Sequence, residues 1–73
     1  MSDIERTRQL IAKALSRPVS EINEDVAMGS LASWDSLGHM RILLEIEALL
    51  GHEIDSEQAV DIIDFASVQK AIS

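Results

Sequence analysis

The residues best suited to chemistry are a serine and a histidine in the stretch 34–39, which reads WDSLGH. Asp35 directly before Ser36, ahead of an apolar run, is typical of a helix start at which the aspartate is the N-cap. The first turn of a helix carries unpaired N–H groups and partial positive charge, which favour an anion such as a phosphodiester on the Ser36 oxygen. Asp–Ser helix starts are common, so this dipeptide alone does not indicate a modification site.

The same stretch has features of a serine hydrolase. Residues 34–38 resemble the G-x-S-x-G nucleophile elbow with Trp34 at the first glycine position, and His39 lies three residues after Ser36. An elbow also requires a preceding strand, an oxyanion hole and an acid that orients the histidine. The sequence indicates none of these, and elbows belong to much larger α/β domains, so a hydrolase is disfavoured.

Metal binding is the other alternative at these positions. His39 and His52 are thirteen residues apart, which matches no ligand spacing. Asp55, Glu57 and Asp61 lack the glycine and the final glutamate of a calcium loop. We therefore expect all five side chains to be solvated at the surface and no metal site.

Length and composition limit the function classes further. The chain has 73 residues and no cysteine, which predicts one domain spanning 1–73 and excludes disulfides and thiolate metal sites. A domain of this size buries only about 60% of its unfolded surface, which weighs against a self-sufficient enzyme. No apolar run approaches the ~20 residues that cross a bilayer, and the N-terminus is too polar for a signal peptide. We expect a cytoplasmic protein without membrane insertion.

Charge is unevenly spread along the chain, whose formal net charge is −7. Residues 1–20 carry four cations against two acids, whereas residues 21–64 carry eleven acids against the single cation Arg41. This acidic field disfavours nucleic acid as a partner, because such binding depends on Lys and Arg at the phosphates. It favours basic patches on partner proteins.

Two amphipathic helices are predicted on either side of a long loop over 17–35. Ser2 caps the first, which ends near Ser16 because Pro18 disfavours helix at the residue before it. Its apolar residues are Ile4, Leu10, Ile11, Ala14 and Leu15. The second helix runs from Asp35 to Gly51, a natural stop.

The second helix is apolar on two sides. Its broad face carries Ile42, Leu43, Ile46, Leu49 and Leu50, and a strip on nearly the opposite side carries Leu37, Met40, Leu44 and Ala48. A surface helix needs only one apolar stripe. Helical geometry alone favours packing of the second strip in the core. The alternative is that the strip is exposed and available for contact with another molecule.

Two shorter helices complete the predicted chain. Asp55 caps a third, carrying Ala59, Val60, Ile62 and Ile63. Ser67 caps a last turn or two with Val68, Ala71 and Ile72. The prediction is an all-α four-helix bundle with a long loop between helices one and two and a short third helix.

Taken together, these features resemble the acyl carrier protein family over nearly the whole chain. The similar segments are Asp35-Ser36-Leu37 at the start of helix two, GHEID at 51–55 and SVQKAI at 67–72. The resemblance implies that 4′-phosphopantetheine is attached to Ser36, from coenzyme A, by a phosphopantetheinyl transferase. Asp35, beside it, would help the transferase to bind. The thiol of the arm would carry the cargo, and the carrier itself would catalyse nothing.

The resemblance also implies partners and a partner-binding face. The face would consist of Leu37, Met40, Arg41, Leu44 and Glu47. The expected partners are the transferase, an acyl- or aminoacyl-activating ligase and a downstream transferase or synthase, and the carrier is expected to be a monomer.

Some residues depart from the carriers of fatty acid synthesis. Those carriers usually have acids soon after the serine, where this chain has Gly38 and Arg41, and Trp34 and His39 are also atypical. The pattern D-S-x-G is more similar to D-alanyl carriers and to stand-alone carriers of specialised pathways, whereas the signature of peptidyl carriers is absent. The alternative from another class is a helical protein–protein interaction adaptor without a covalent arm.

Overall fold

Residues 2–73 are described by the computed structural model and form four α-helices. The helices are α1 (Asp3–Leu15), α2 (Ser36–Leu50), α3 (Ser56–Asp61) and α4 (Phe65–Ile72). The long loop contains one 3-10 turn, Val19–Glu21, and the described range contains isolated bridges but no strand. The all-α architecture with a long loop and a short third helix is confirmed. No helix in residues 2–73 has the length and apolarity needed to cross a membrane.

The first helix begins and ends where the sequence predicts. The Ser2 hydroxyl accepts a hydrogen bond from the Glu5 N–H at 3.2 Å. At the other end Ser16 adopts a left-handed conformation, with φ of 56°, and the Arg17 N–H reaches back to the Ala12 carbonyl at 3.0 Å. This is a local C-terminal cap, so the helix stops before Pro18 is reached.

The core lies where α1 packs against α2 and α4. Its fully enclosed side chains come from these three helices and from the long loop: Ile11, Ile22, Trp34, Ile42, Ile46, Phe65 and Val68. The short α3 contributes no buried residue of its own. At the start of α1, Ile4 is 36% exposed and does not belong to the core face on which the sequence placed it.

The second apolar strip of α2 is exposed. Leu37, Met40 and Leu44 have 59%, 60% and 59% of their surface accessible. The core-packing expectation for this strip is therefore wrong. Within residues 2–73, α1 and α4 pack on the side of α2 that carries Ile42 and Ile46, and the opposite side stays uncovered.

Three further sequence expectations are corrected. Leu49, expected on the core face of α2, is 46% exposed. The third helix ends at Asp61, so Ile62 and Ile63 lie beyond it, the first buried and the second exposed. The fourth helix begins earlier than Ser67.

The N-cap of α4 is Asp64. Its carboxylate accepts the Ser67 N–H at 2.8 Å, and the Ser67 hydroxyl accepts the Asp64 N–H at 2.9 Å. Ser67 thus has the N3 role of a reciprocal capping box. Hydrogen bonds to the Asp64 carboxylate from the Ser67 side chain and from the Ser67 backbone N–H lower the pKa of Asp64. The Phe65 N–H donates to the Val26 carbonyl at 3.0 Å, which ties the long loop to the start of α4.

Candidate functional site

Ser36 is the first residue of α2 and is exposed. Asp35 is the N-cap, and its Oδ1 accepts the Gly38 N–H at 2.8 Å. The Asp35 carbonyl accepts the His39 N–H, also at 2.8 Å. The N–H groups of the first helical turn have no acceptor within the helix, so the Ser36 hydroxyl stands at the positive end of the α2 dipole.

This geometry fits a phosphodiester on the Ser36 oxygen. The side chain is exposed, so an attached group does not displace packed atoms. The Ser36 and Leu37 N–H groups at the helix start favour the negative charge of a phosphate. Asp35 adds an opposing charge, but its Oδ1 is already engaged by the Gly38 N–H.

Gly38 is required by the packing around the site. A Cβ at this position would overlap the Ser33 carbonyl oxygen and would lie 2.7 Å from the Leu15 Cδ2 atom. The glycine therefore lets α1 and the end of the loop approach the first turn of α2. It is buried, so it takes no part in the exposed face of the helix.

Trp34 and His39 are joined across Ser36. The Trp34 ring is fully buried, and its Nε1–H donates to His39 Nδ1 at 3.0 Å. The two rings are nearly parallel, at 19°, with centroids 6.3 Å apart. Burial lowers the pKa of His39. The Trp34 ring belongs to the core. The expectation of a solvated His39 is wrong, because this side chain is half-buried.

Sequence reasoning did not find this pair because the two residues belong to different elements. Trp34 is the last loop residue before the cap, and His39 is in the first turn of α2. Their separation of five follows no helical or strand period. The available signal was the indole N–H itself, which needs an acceptor whenever a tryptophan is buried.

Only some residues of the predicted partner face are exposed on α2. Leu37, Met40 and Leu44 form an exposed strip that begins next to Ser36 and extends for about 12 Å at 1.5 Å per residue. Arg41 is exposed on the same helix. Glu47 is half-buried, and its carboxylate accepts the Ile54 N–H at 2.9 Å, so it holds the connection between α2 and α3.

The two alternative chemistries have little support in the geometry. Ser36 follows a loop and a helix cap, whereas a nucleophile elbow follows a strand. His39 Nδ1 is occupied by the Trp34 N–H. Within residues 2–73 no three His, Asp or Glu side chains are grouped so that they could hold a metal ion. His52, Asp55, Glu57 and Asp61 are exposed, as the sequence predicts.

Comparison with known proteins finds a relative among the polyketide synthases. The chain is 34% identical over 74 aligned positions to the non-reducing polyketide synthase AC of Didymella fabae. The chain resembles a small segment of a polyketide synthase. The alignment covers 97% of this chain and 3% of that protein. No family model matches the chain. The similarity over nearly the whole chain and the small helical fold fit a carrier domain.

Proposed function

We propose that this chain is a carrier that holds an acyl or aminoacyl group on a 4′-phosphopantetheine arm attached to Ser36. The observation that carries the proposal is the exposed Ser36 hydroxyl at the capped start of α2, next to an uncovered apolar strip. The similarity to a polyketide synthase supports it, because polyketide synthases as a class contain acyl carrier domains.

Ser36 and Asp35 have separate roles in this proposal. The Ser36 oxygen forms the bond to phosphorus, the bond from phosphorus to the 3′,5′-ADP part of coenzyme A breaks, and the hydroxyl proton is released. Asp35 holds the first turn of α2 in place through the Gly38 N–H and presents its other carboxylate oxygen to the transferase. The attached arm supplies a terminal thiol, on which the cargo is held as a thioester.

The exposed strip is the proposed docking face. Leu37, Met40 and Leu44 offer apolar surface directly beside the attachment point. The acidic region 21–64 steers the carrier toward basic patches on the transferase, the activating ligase and the downstream transferase or synthase. Docking on this face brings each enzyme within reach of the arm.

The relative favours an acyl cargo over an aminoacyl cargo. The likeness to D-alanyl carriers depends on Gly38, and the packing of Ser33 and Leu15 accounts for that glycine without reference to cargo. The similarity to a polyketide synthase is independent of this residue and covers nearly the whole chain. We therefore propose an acyl group of the kind that a polyketide synthase handles as the first cargo to test.

Intact-mass measurement after incubation with coenzyme A and a broad-specificity phosphopantetheinyl transferase tests the proposal. We expect one phosphopantetheine adduct on the wild-type chain and none on the Ser36→Ala variant. Both proteins should show the same helical circular dichroism, because Ser36 is exposed and Asp35 supplies the cap.

A folded wild-type chain that stays unmodified by both broad-specificity and dedicated transferases, each active on a reference carrier, would contradict the proposal. The adaptor without a covalent arm would then be favoured. It accounts for the exposed strip and the acidity, but it gives no role to the exposed hydroxyl at the start of that strip.

A further inference from the structure

The hydrogen bond between Trp34 and His39 joins residues on either side of Ser36, the proposed attachment residue. Trp34 is two residues before Ser36, and His39 is three residues after it. The Asp35 carboxylate and carbonyl also bond across Ser36, to the Gly38 and His39 N–H groups. Those two bonds are part of an ordinary helix cap. The indole–imidazole bond is additional.

Trp34 also connects the attachment residue to the long loop. Its backbone N–H donates to the Leu31 carbonyl at 2.8 Å, and its carbonyl accepts the Gly29 N–H at 3.1 Å. Its ring is fully buried in the core. The position of this one residue therefore determines how the loop meets the start of α2.

His39 supplies the acceptor for the buried indole. The distance from Nε1 to Nδ1 is 3.0 Å, and an indole has only a donor to offer. An acceptor at Nδ1 requires the neutral imidazole with its proton on Nε2. An unpaired N–H in the core is strongly unfavourable. Loss of this acceptor therefore either shifts the Trp34 ring or requires a water molecule to accept the indole N–H in place of the histidine.

We infer that His39 is a positioning residue for the attachment site, acting through Trp34. It fixes the Trp34 ring and with it the backbone that leads into Asp35 and Ser36. The inference rests on the proposed function, because His39 is inferred to determine how Ser36 is presented to the transferase. His39 itself is half-buried and takes no part in the exposed docking strip.

Two substitutions of His39 test its hydrogen-bond acceptor and its volume separately. His39→Asn places an amide oxygen near the position of Nδ1 and keeps an acceptor, whereas His39→Leu keeps a similar volume without one. The chain has a single tryptophan, so one indole N–H resonance in a nitrogen–proton correlation spectrum reports the bond directly. We expect slow solvent exchange of this proton in the wild type and in His39→Asn, and faster exchange in His39→Leu.

The same variants are compared for the rate of phosphopantetheine attachment. We expect His39→Leu to lower kcat/KM of the transferase about three- to tenfold, the rate equivalent of one hydrogen bond, and His39→Asn to stay within about twofold of wild type. In a Trp34→Phe background, which has no indole donor, His39→Leu should have little further effect. The cycle consists of the wild type, His39→Leu, Trp34→Phe and the double variant, and the thermal midpoint of each is measured. A loss of stability in His39→Leu can then be distinguished from loss of the bond to Trp34.

The outcomes distinguish this inference from the proposed function. Wild-type chain that accepts no arm contradicts the proposed function and, with it, this role of His39. Wild-type chain that is modified at the same rate as His39→Leu overturns the role of His39 alone. Indole exchange that is the same in His39→Leu and wild type also overturns it, because the bond would then not exist in solution.

Discussion

The starts of α2 and α3 have the same local chemistry in different surroundings. Each helix begins with Asp–Ser, and each aspartate accepts the N–H three residues later at 2.8 Å. Ser36 and Ser56 are both exposed first residues of their helices. By capping geometry alone the two serines are equivalent.

The surroundings differ in three respects. The residue before the cap is the fully buried Trp34 at α2 and the half-buried Ile54 at α3. The third helical residue is the closely packed Gly38 at α2 and the exposed Gln58 at α3. The α2 helix has 15 residues with an uncovered apolar strip, whereas α3 has six and contributes nothing to the core. The comparison supports the proposal that the anchoring and the adjacent surface, rather than the dipeptide, distinguish Ser36 as the attachment site.

The largest contrast is expected at the residue before each cap. Trp34→Ala removes a fully enclosed ring and should lower the free energy of unfolding by about 3–5 kcal/mol. Ile54→Ala at the half-buried equivalent should cost clearly less, about 1–2 kcal/mol. Urea unfolding followed by circular dichroism measures both. Equal losses at the two positions would show that the start of α2 is not anchored more firmly than that of α3.

The third helical residue should give the next contrast. Gly38→Ala forces a methyl group against the Ser33 carbonyl and the Leu15 side chain, and we expect a loss of about 2–3 kcal/mol. Gln58→Ala, at the matching exposed position of α3, should change stability by less than about 0.5 kcal/mol. The same unfolding experiment applies. A Gly38→Ala protein as stable as the wild type would contradict the close approach of α1 and the loop to α2.

The two caps are expected to be similar in stability and different in function. Asp35→Ala and Asp55→Ala each remove one acceptor for a helix N–H, so each should cost about 1 kcal/mol. Only Asp35→Ala should also slow attachment of the arm to Ser36, as followed by intact mass over time. Equal attachment rates in the two variants would remove Asp35 from the proposed recognition by the transferase.

The smallest expected effect is the pH dependence that His39 contributes. Burial lowers the pKa of His39 in the folded state below its ordinary value of 6.5. As pH falls below 6.5 the unfolded chain therefore takes up this proton first, and stability decreases until the folded-state pKa is passed. The lowered pKa of Asp64 acts in the same direction, but only below its ordinary value of 3.8.

Thermal midpoints between pH 7.5 and 5 measure this contribution. His39→Asn, which does not titrate, should lose less stability over this range than the wild type. His52→Asn, which removes the exposed histidine before α3 and leaves the bond between Trp34 and His39 in place, is measured alongside for comparison. Identical profiles for wild type and His39→Asn would contradict a lowered pKa of the half-buried His39.

The parts of the fold that were predictable from sequence are the local ones. The caps at Ser2, Asp35 and Asp55 depend on residues three positions apart, and each is confirmed. The start of α4 was misplaced because Ser67 is suited to an N-cap and also to the N3 position, and only the pairing with Asp64 decides between them. Local chemistry alone does not resolve that choice.

The orientation of α2 was not predictable from sequence in the same way. Because α2 has two apolar faces, its sequence allows either face to point to the core, and only the packing of α1 and α4 decides between them. The core-packing expectation failed at Leu37, Met40 and Leu44 for this reason. At the candidate site, the cap position of Asp35 and the place of Ser36 at the start of α2 follow from local sequence. The hydrogen bond between Trp34 and His39 does not, because it depends on a contact between a loop and a helix.

The most direct test of the central claim is the position of the arm in modified wild-type protein. Trypsin cleavage after Arg41 separates Ser36, in the peptide 14–41, from Ser56, in the peptide 42–70, since Pro18 protects the bond after Arg17. We predict phosphopantetheine on Ser36 alone, with Ser56→Ala modified as fully as the wild type. An arm on Ser56, or on both serines equally, would contradict the claim that the surroundings of α2 define the attachment site.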